Sequence, residues 1–309
     1  MEAINKPKGE NMSGILCLYK PKGCTSHDVV FKIRRLYATK QVGHTGTLDP
    51  LAEGVLMLMV GRAVKASEFL VSDEKEYVAG LRLGLTTDTE DITGKTLTSY
   101  NGEMPDLQTV KNAVSRFTGA IEQVPPMYSA LKVDGKKLVD LARAGKEIER
   151  KPRQVFVDRL EVYGTDKADE FILNTRVSKG TYIRTLCADI GKYLGTGAVM
   201  SFLTRTSCGS HGIEDAVTLE ELEAMTVEER YALLRPVDEL FDECSAVTLS
   251  DFFAHLGLHG CELYQKKIGT HIEDGALVRL YDKDGFFALG RVMEFEDGSA
   301  IKPVKQFRV

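Results

Sequence analysis

Asp49 is the residue in this sequence best placed for covalent chemistry. It stands in the stretch 42–61, Val-Gly-His-Thr-Gly-Thr-Leu-Asp-Pro-Leu-Ala-Glu-Gly-Val-Leu-Met-Leu-Met-Val-Gly, which joins a polar loop to an apolar segment. Gly43, Gly46 and Gly54 supply backbone freedom, and Pro50 steers Asp49 toward an extended conformation. Residues 55–60 are all apolar, the pattern of a short strand buried on both faces. The carboxylate therefore projects from a constrained loop hung on a rigid support, a position that favours function. Such a carboxylate can act as a nucleophile without a cofactor. Asp-Pro also opens ordinary surface turns, so the assignment needs partners elsewhere in the chain.

The run Gly-His-Thr-Gly-Thr-Leu-Asp-Pro-Leu-Ala-x-Gly, residues 43–54, resembles the central motif of the TruB-type tRNA pseudouridine synthases, the bacterial TΨC-loop uridine-55 family. In that family the motif's single aspartate is the essential catalytic residue, and it matches Asp49. Four further stretches fit the resemblance: Lys-Pro-x-Gly-x-Thr-Ser at 20–26, Lys-x-Tyr at 75–77 with Leu-Gly-x-x-Thr-Asp-Thr-x-Asp at 83–91, Lys-Gly-Thr-Tyr-Ile-Arg-Thr-Leu at 179–186, and Leu203-x-Arg205 followed by Gly209. The resemblance implies that Tyr77 stacks on the target base and is a candidate general base, and that Arg184 pairs with Asp49. It also implies that Leu203 packs beside a flipped base and that His44 contacts the RNA there. Arginine keeps its charge and can grip a carboxylate with two prongs, which suits holding Asp49 ionised and aimed. Lys20, at the turn of the first motif, is expected to be structural or to position phosphate. Asp88 and Asp91 take a lesser RNA-proximal or structural role. His211 stands where the family commonly has phenylalanine.

The elements that must position these residues are legible from periodicity. Gly14–Tyr19 reads as a strand, Lys20–Gly23 as a turn, and a helix follows, capped by Ser26, with Val29, Ile33, Leu36 and Tyr37 on one face. Lys75–Gly84 alternates as a strand with Tyr77, Ala79, Leu81 and Leu83 on one side. Residues 155–163 and 171–178 read as a hairpin, and Ile183, Leu186, Cys187, Ile190 and Leu194 recur at helical spacing, leaving Arg184 off their stripe. Residues 135–145 enclose a small helix with a basic exterior.

Charge is partitioned. The formal net charge is −5, but residues 214–243 hold eleven acidic and two basic residues, so the rest of the chain is positive. Residues 131–153 carry eight basic and four acidic residues, among them Lys132, Lys136 and Lys137. With Tyr128 they suit stacking and phosphate contact, and the resemblance makes 127–153 a mobile thumb that closes on RNA. Six cysteines lack any Cys-x-x-Cys or metal-ligand spacing, so reduced thiols and a cytoplasmic protein are expected, with no metal, no cofactor and no membrane span.

The expected architecture is α+β: a mixed, mainly antiparallel central sheet flanked by helices, with a small β-rich C-terminal domain. The expected divisions are a disordered extension 1–11, a catalytic domain 12–244 and a PUA-like accessory domain 245–309. The implied reaction is isomerisation of uridine to pseudouridine in the T loop of tRNA. The glycosidic bond breaks, the base rotates, and it rejoins through C5 after being flipped out. The T-arm stem-loop is the expected partner, with no obligatory protein partner and a monomeric enzyme. A non-catalytic RNA-binding or chaperone protein on the same fold and a guide-dependent catalytic subunit remain open. A paired-carboxylate glycoside hydrolase is also open, although no second carboxylate shares a comparable motif.

Overall fold

The apolar run 55–60 lies within a nine-residue strand, Ala52–Val60, buried along nearly all its length. The computed structural model describes residues 13–70, 74–129, 131–133 and 135–308 without the side chains of Lys132 and Lys137. The expected extension 1–11 is outside the described residues. The strand sits second in a sheet ordered Gly14–Lys20, Ala52–Val60, Ala198–Cys208, Lys75–Leu83, Glu170–Val177, Arg153–Gly164, Gly119–Gln123. All these neighbours pair antiparallel except Ala52–Val60 with Ala198–Cys208, which is parallel. The expected mixed, mainly antiparallel sheet is therefore present.

Two-sided burial of that strand follows from the period-2 alternation of side chains. Leu56 and Leu58 join Leu16, Leu18, Val29 and Ile33 in one core, covered by the helices Ser26–Leu36 and Ile183–Leu194. Val55, Met57 and Met59 join Ile15 and Cys17 on the opposite face, where Phe241, Leu289 and Phe307 cover them. The stretch Val237–Phe241 of the acidic segment thus packs on the sheet face away from Tyr77 and Leu203, which belong to the first core.

The C-terminal residues form a second sheet ordered Ser245–Thr248, Leu277–Asp282, Gly285–Phe295, Gly298–Gln306, Leu263–Tyr264, around Val278, Leu280 and Phe287. Turns at Asp284-Gly285 and Asp297-Gly298 join its strands, with Gly285 and Gly298 at φ of 108° and 110°. A helix, Asp251–Leu258, accompanies the strands of this β-rich module. Among the described residues no helix is long and apolar enough to cross a membrane.

Two local expectations are corrected. Thr25, not Ser26, caps the first helix: its hydroxyl accepts from the Asp28 N–H while the Asp28 carboxylate accepts from the Thr25 N–H. Ser26 is thereby released into the interior, where its hydroxyl accepts from Leu48 N at 2.8 Å and donates to Leu48 O at 3.0 Å. Of the three loop glycines only Gly54 uses left-handed backbone, at φ 103°. Gly46 serves close approach instead, because a Cβ there would meet Lys75 Cε at 3.1 Å.

Gly54 also abuts the parallel partner strand, where an added Cβ would collide with the Arg205 backbone carbonyl. Gly54→Ala should therefore cost at least about 2 kcal/mol, from backbone strain and overpacking together. Urea denaturation monitored by circular dichroism checks this; a loss near zero would mean that the strand pair shifts freely.

Candidate active site

Asp49 is held by backbone contacts on both sides. Its carbonyl accepts from Ala52 N at 3.0 Å, the Pro50 carbonyl accepts from Gly23 N at 2.7 Å, and Ser26 clamps Leu48. The first helix and the turn before it therefore set the loop. Lys20 works in the same turn. It is fully buried and its ammonium donates to Pro21 O at 2.9 Å and Cys24 O at 2.7 Å. A fully buried cation that donates to two carbonyls of its own turn organises that turn, the structural alternative of the expectation.

Arg184 enters from the first turn of the helix Ile183–Leu194. Off the apolar stripe it is nonetheless 5 % exposed, since it turns toward the loop rather than toward solvent. Its Nη2 lies 3.0 Å from Asp49 Oδ2 and donates to Tyr128 O at 2.7 Å; its Nη1 donates to Thr89 O at 2.9 Å and lies 3.8 Å from Asp91 Oδ2. The fork thus contacts Asp49 by one prong and ties three chain segments together, which differs from the two-pronged grip expected. Asp91 is itself fixed, accepting from Thr93 N at 2.9 Å and from the Thr89 hydroxyl at 2.9 Å. Between them Glu90 takes left-handed backbone at φ 63° and accepts from the Thr185 hydroxyl at 2.7 Å.

Asp49, Tyr77, Arg184 and Leu203 line one cavity of about 240 Å3, although they come from four separate elements. The strand Lys75–Leu83 places Lys75 and Tyr77 on that wall, and Ala198–Cys208 places Leu203 and Arg205 there. In the sequence Arg205 is a motif residue without a role, and Lys75 only marks the start of a motif. The signal that could have found them is the period-2 rule, since each shares a face with a residue singled out. Arg205 is fully buried, donating from Nε to Val55 O at 2.6 Å and from Nη2 to Gly46 O at 3.1 Å.

The remaining expected site residues lie off that wall. His44 ends the short strand Val42–His44 opposite Leu58; among the described residues its buried Nδ1 has no partner. Burial and the Arg205 charge push its pKa down, which keeps the ring neutral. Tyr128 supplies its backbone carbonyl to Arg184. Lys136 is exposed on a two-stranded ladder, 132–133 with 136–137, that leads into the helix Leu138–Arg143; the side chains of Lys132 and Lys137 are outside the described residues.

Electrostatics are dominated by burial. Burial raises the Asp49 carboxyl above its ordinary value; the Arg184 guanidinium opposes this and Asp91 adds to it. Burial likewise raises the Tyr77 phenol, opposed by the Arg205 charge. A larger cavity of about 460 Å3 lies on the opposite sheet face against Cys208 and Phe241. Its carboxylates Glu74, Glu76, Glu239 and Asp242 each pair with an arginine, and it holds none of the expected site residues. Among the described residues no three His, Cys, Asp or Glu side chains gather as a metal set.

The chain is similar to known proteins over most of its length. A sequence model described as TruB family pseudouridylate synthase, N-terminal domain, matches residues 34–183, and one described as tRNA pseudouridylate synthase B C-terminal domain matches 184–242. The chain is 43 % identical over 285 residues to a protein named tRNA pseudouridine synthase B from Alkaliphilus oremlandii, covering 91 % of this chain and 93 % of that one. It is 37 % identical over 301 residues to one of the same name from Clostridioides difficile, covering 96 % and 100 %. Among solved structures it is similar to a chain of a Cbf5–Nop10–Gar1 complex, with 28 % identity, a TM-score of 0.73, and 95 % of this chain and 84 % of that chain covered.

The Asp49 shift has a consequence for stability. A carboxyl whose folded pKa lies above its unfolded value gives stability that is full below about pH 4 and lost as pH rises through the folded value. At neutral pH the ionised Asp49 therefore carries a penalty, reduced by solvent because the side chain is 39 % exposed to the cavity. Asp49→Asn still accepts a hydrogen bond from Arg184 and should stay within about 1 kcal/mol of the parent at pH 7 in urea denaturation. A loss above about 3 kcal/mol would show the pair to be structural.

Proposed function

We propose that Asp49 is the catalytic carboxylate of this chain, which belongs to the TruB family of pseudouridylate synthases, enzymes that isomerise uridine to pseudouridine. The substrate we assign is tRNA at the uridine of the T loop. The observation that carries the reading is the Asp49–Arg184 contact of 3.0 Å at the wall of a cavity shared with Tyr77 and Leu203. The target uridine leaves the stack and enters that cavity, which costs a few kcal/mol and is easier from a loop than from a duplex. Tyr77 offers an aromatic face and Leu203 an aliphatic wall, so the detached uracil is confined while it turns. Asp49 forms or assists the covalent step; Arg184 holds it charged and aimed against the burial that favours its neutral form.

Once C5 has replaced N1 as the point of attachment, C5 carries a surplus proton. Its removal returns the C5–H electron pair to the ring, and N1 gains a proton, so the net change is isomerisation. Tyr77 is the group at hand for that removal. His44, neutral and half-buried beside the loop, stands where it could support the extruded nucleotide. The basic residues of 131–153 carry the phosphate contacts, and the C-terminal sheet serves as a PUA-like accessory clamp. A monomer working in the cytoplasm without an obligatory protein partner completes the reading.

Asp49→Asn should abolish tritium release from C5-labelled uridine in tRNA while leaving tRNA affinity nearly intact; substantial residual turnover would sink the assignment. Neutralising Lys136, Lys137 and Lys146 to Gln should weaken tRNA binding and flatten its salt dependence by roughly 0.7 for each phosphate that a lysine no longer neutralises. Filter binding over a salt series measures this, and an unchanged slope would remove the thumb from the interface.

A further inference from the structure

Arg205 lines the cavity, and the reaction described above leaves its chemistry unused. It is fully buried. A guanidinium without water is retained only when its donors are satisfied, and a carboxylate is the usual partner. Among the described residues no carboxylate is ion-paired with Arg205. Its donors instead reach Val55 O on one strand and Gly46 O in the catalytic loop. On the sheet it stands directly opposite Tyr77, and both side chains line the cavity. The same residue's backbone carbonyl is what forces glycine at position 54. An apolar side chain of equal volume would pack this interior without the desolvation cost, so packing alone does not account for the charge.

We propose that Arg205 is a positioning residue for the isomerisation: its guanidinium locks the Tyr77 phenol in register with the Asp49 loop and supplies the positive charge that stabilises the phenolate form when the C5 proton is removed. The inference rests on the reading of Tyr77 as the proton acceptor. The phenolate oxygen takes the C5 proton, the C5–H pair restores the ring double bond, and the phenol then returns its proton to solvent. Without a cation beside it a buried phenol is a poor acceptor, because burial favours its neutral form. Two other ionisable groups about it, Cys208 and Asp49, oppose ionisation. Lys75 stands on the same wall, at the start of the Tyr77 strand. Around Arg205 itself, burial lowers the pKa of His44 and of Lys20, and the Arg205 charge adds to that burial second at His44 and least at Lys20. A single fixed cation thus acts on the base and on the backbone that carries the nucleophile.

The test is the pH profile of single-turnover tritium release from C5-labelled tRNA, from about pH 6 to about pH 10, for Arg205→Met, Arg205→Lys, Tyr77→Phe and the double variant Arg205→Met with Tyr77→Phe. Arg205→Met should lose at least about tenfold at neutral pH and recover as pH rises, its ascending limb moved up by about one unit or more, with tRNA affinity kept. Arg205→Lys keeps the charge and loses the fork, so its rate falls while its profile stays in place. The double variant should be no slower than Tyr77→Phe alone. An Arg205→Met profile lowered evenly at every pH, or a double variant slower by the product of the two single losses, overturns the proposal. Should Arg205→Met not fold, as judged by circular dichroism, Arg205→Lys decides. A rate loss that vanishes in the Tyr77→Phe background supports the coupling, and an equal loss in both backgrounds ends it. Wild-type turnover in Tyr77→Phe would instead sink the reading of Tyr77, whatever Arg205 does.

Discussion

The structure around the site depends on one buried cation, the Arg184 guanidinium. Five donors in a fixed fork cannot be left unpaired in an interior, so the chain must bring acceptors to it from wherever they lie. Those acceptors come from three segments: the carboxylate of Asp49, the carbonyl of Tyr128, and the 89–91 turn through Thr89 O and the more distant Asp91. Satisfying one side chain therefore fixes the Asp49 loop against a polar turn and against the segment that leads into the basic stretch 131–153. The left-handed backbone at Glu90 is part of that arrangement, since it lies between the Thr89 carbonyl and the Asp91 carboxylate. Strain of this kind persists where the surroundings over-determine it.

Because the loop is fixed from both ends, its chemistry can be preorganised rather than recruited. Lys20 and Ser26 hold one side through buried hydrogen bonds, Arg184 the other, and Arg205 the middle through Gly46. Dipoles and charges that need not move when charge develops are worth more than those that must reorganise. The cost appears in Asp49, whose carboxyl burial makes harder to ionise, and Arg184 is the opposing force. The site is thus held in a balance that stability alone would not select.

Much of this was legible in the sequence. The all-apolar run 55–60 gave a strand buried on both faces, and the two cores meet on it. Alternation placed Tyr77 correctly, and helical spacing placed the helix that begins at Ile183. What was not legible involves contacts between elements. Arg184 lies off the apolar stripe, which by periodicity alone reads as solvent-facing, yet an adjoining loop covers it. Lys20 reads as a basic turn residue, and only the fold shows that its ammonium is spent on two carbonyls. Ser26 reads as a cap because serine is a good one, but Thr25 with Asp28 forms the better capping box and leaves Ser26 for Leu48. Arg205 carries a motif without a partner, because its acceptors are backbone atoms that a sequence does not display.

The acidic segment is divided between the two faces of the sheet: Leu219 and Leu222 join the first core, while its last part lies on the other side. The stretch Val237–Phe241 packs on the face of Ala52–Val60 opposite the core to which Tyr77 and Leu203 belong. There Glu239 and Asp242 are neutralised locally by Arg235 and Arg279, so little of their field is left to act at long range. The exposed positive charge of 131–153, by contrast, stands on the segment whose base Arg184 anchors at Tyr128. That segment and the Asp49 carboxylate are therefore linked through one side chain, Arg184, by an ion pair on one side and a hydrogen bond on the other. Separating them would take a break in the hydrogen bond from Arg184 to Tyr128.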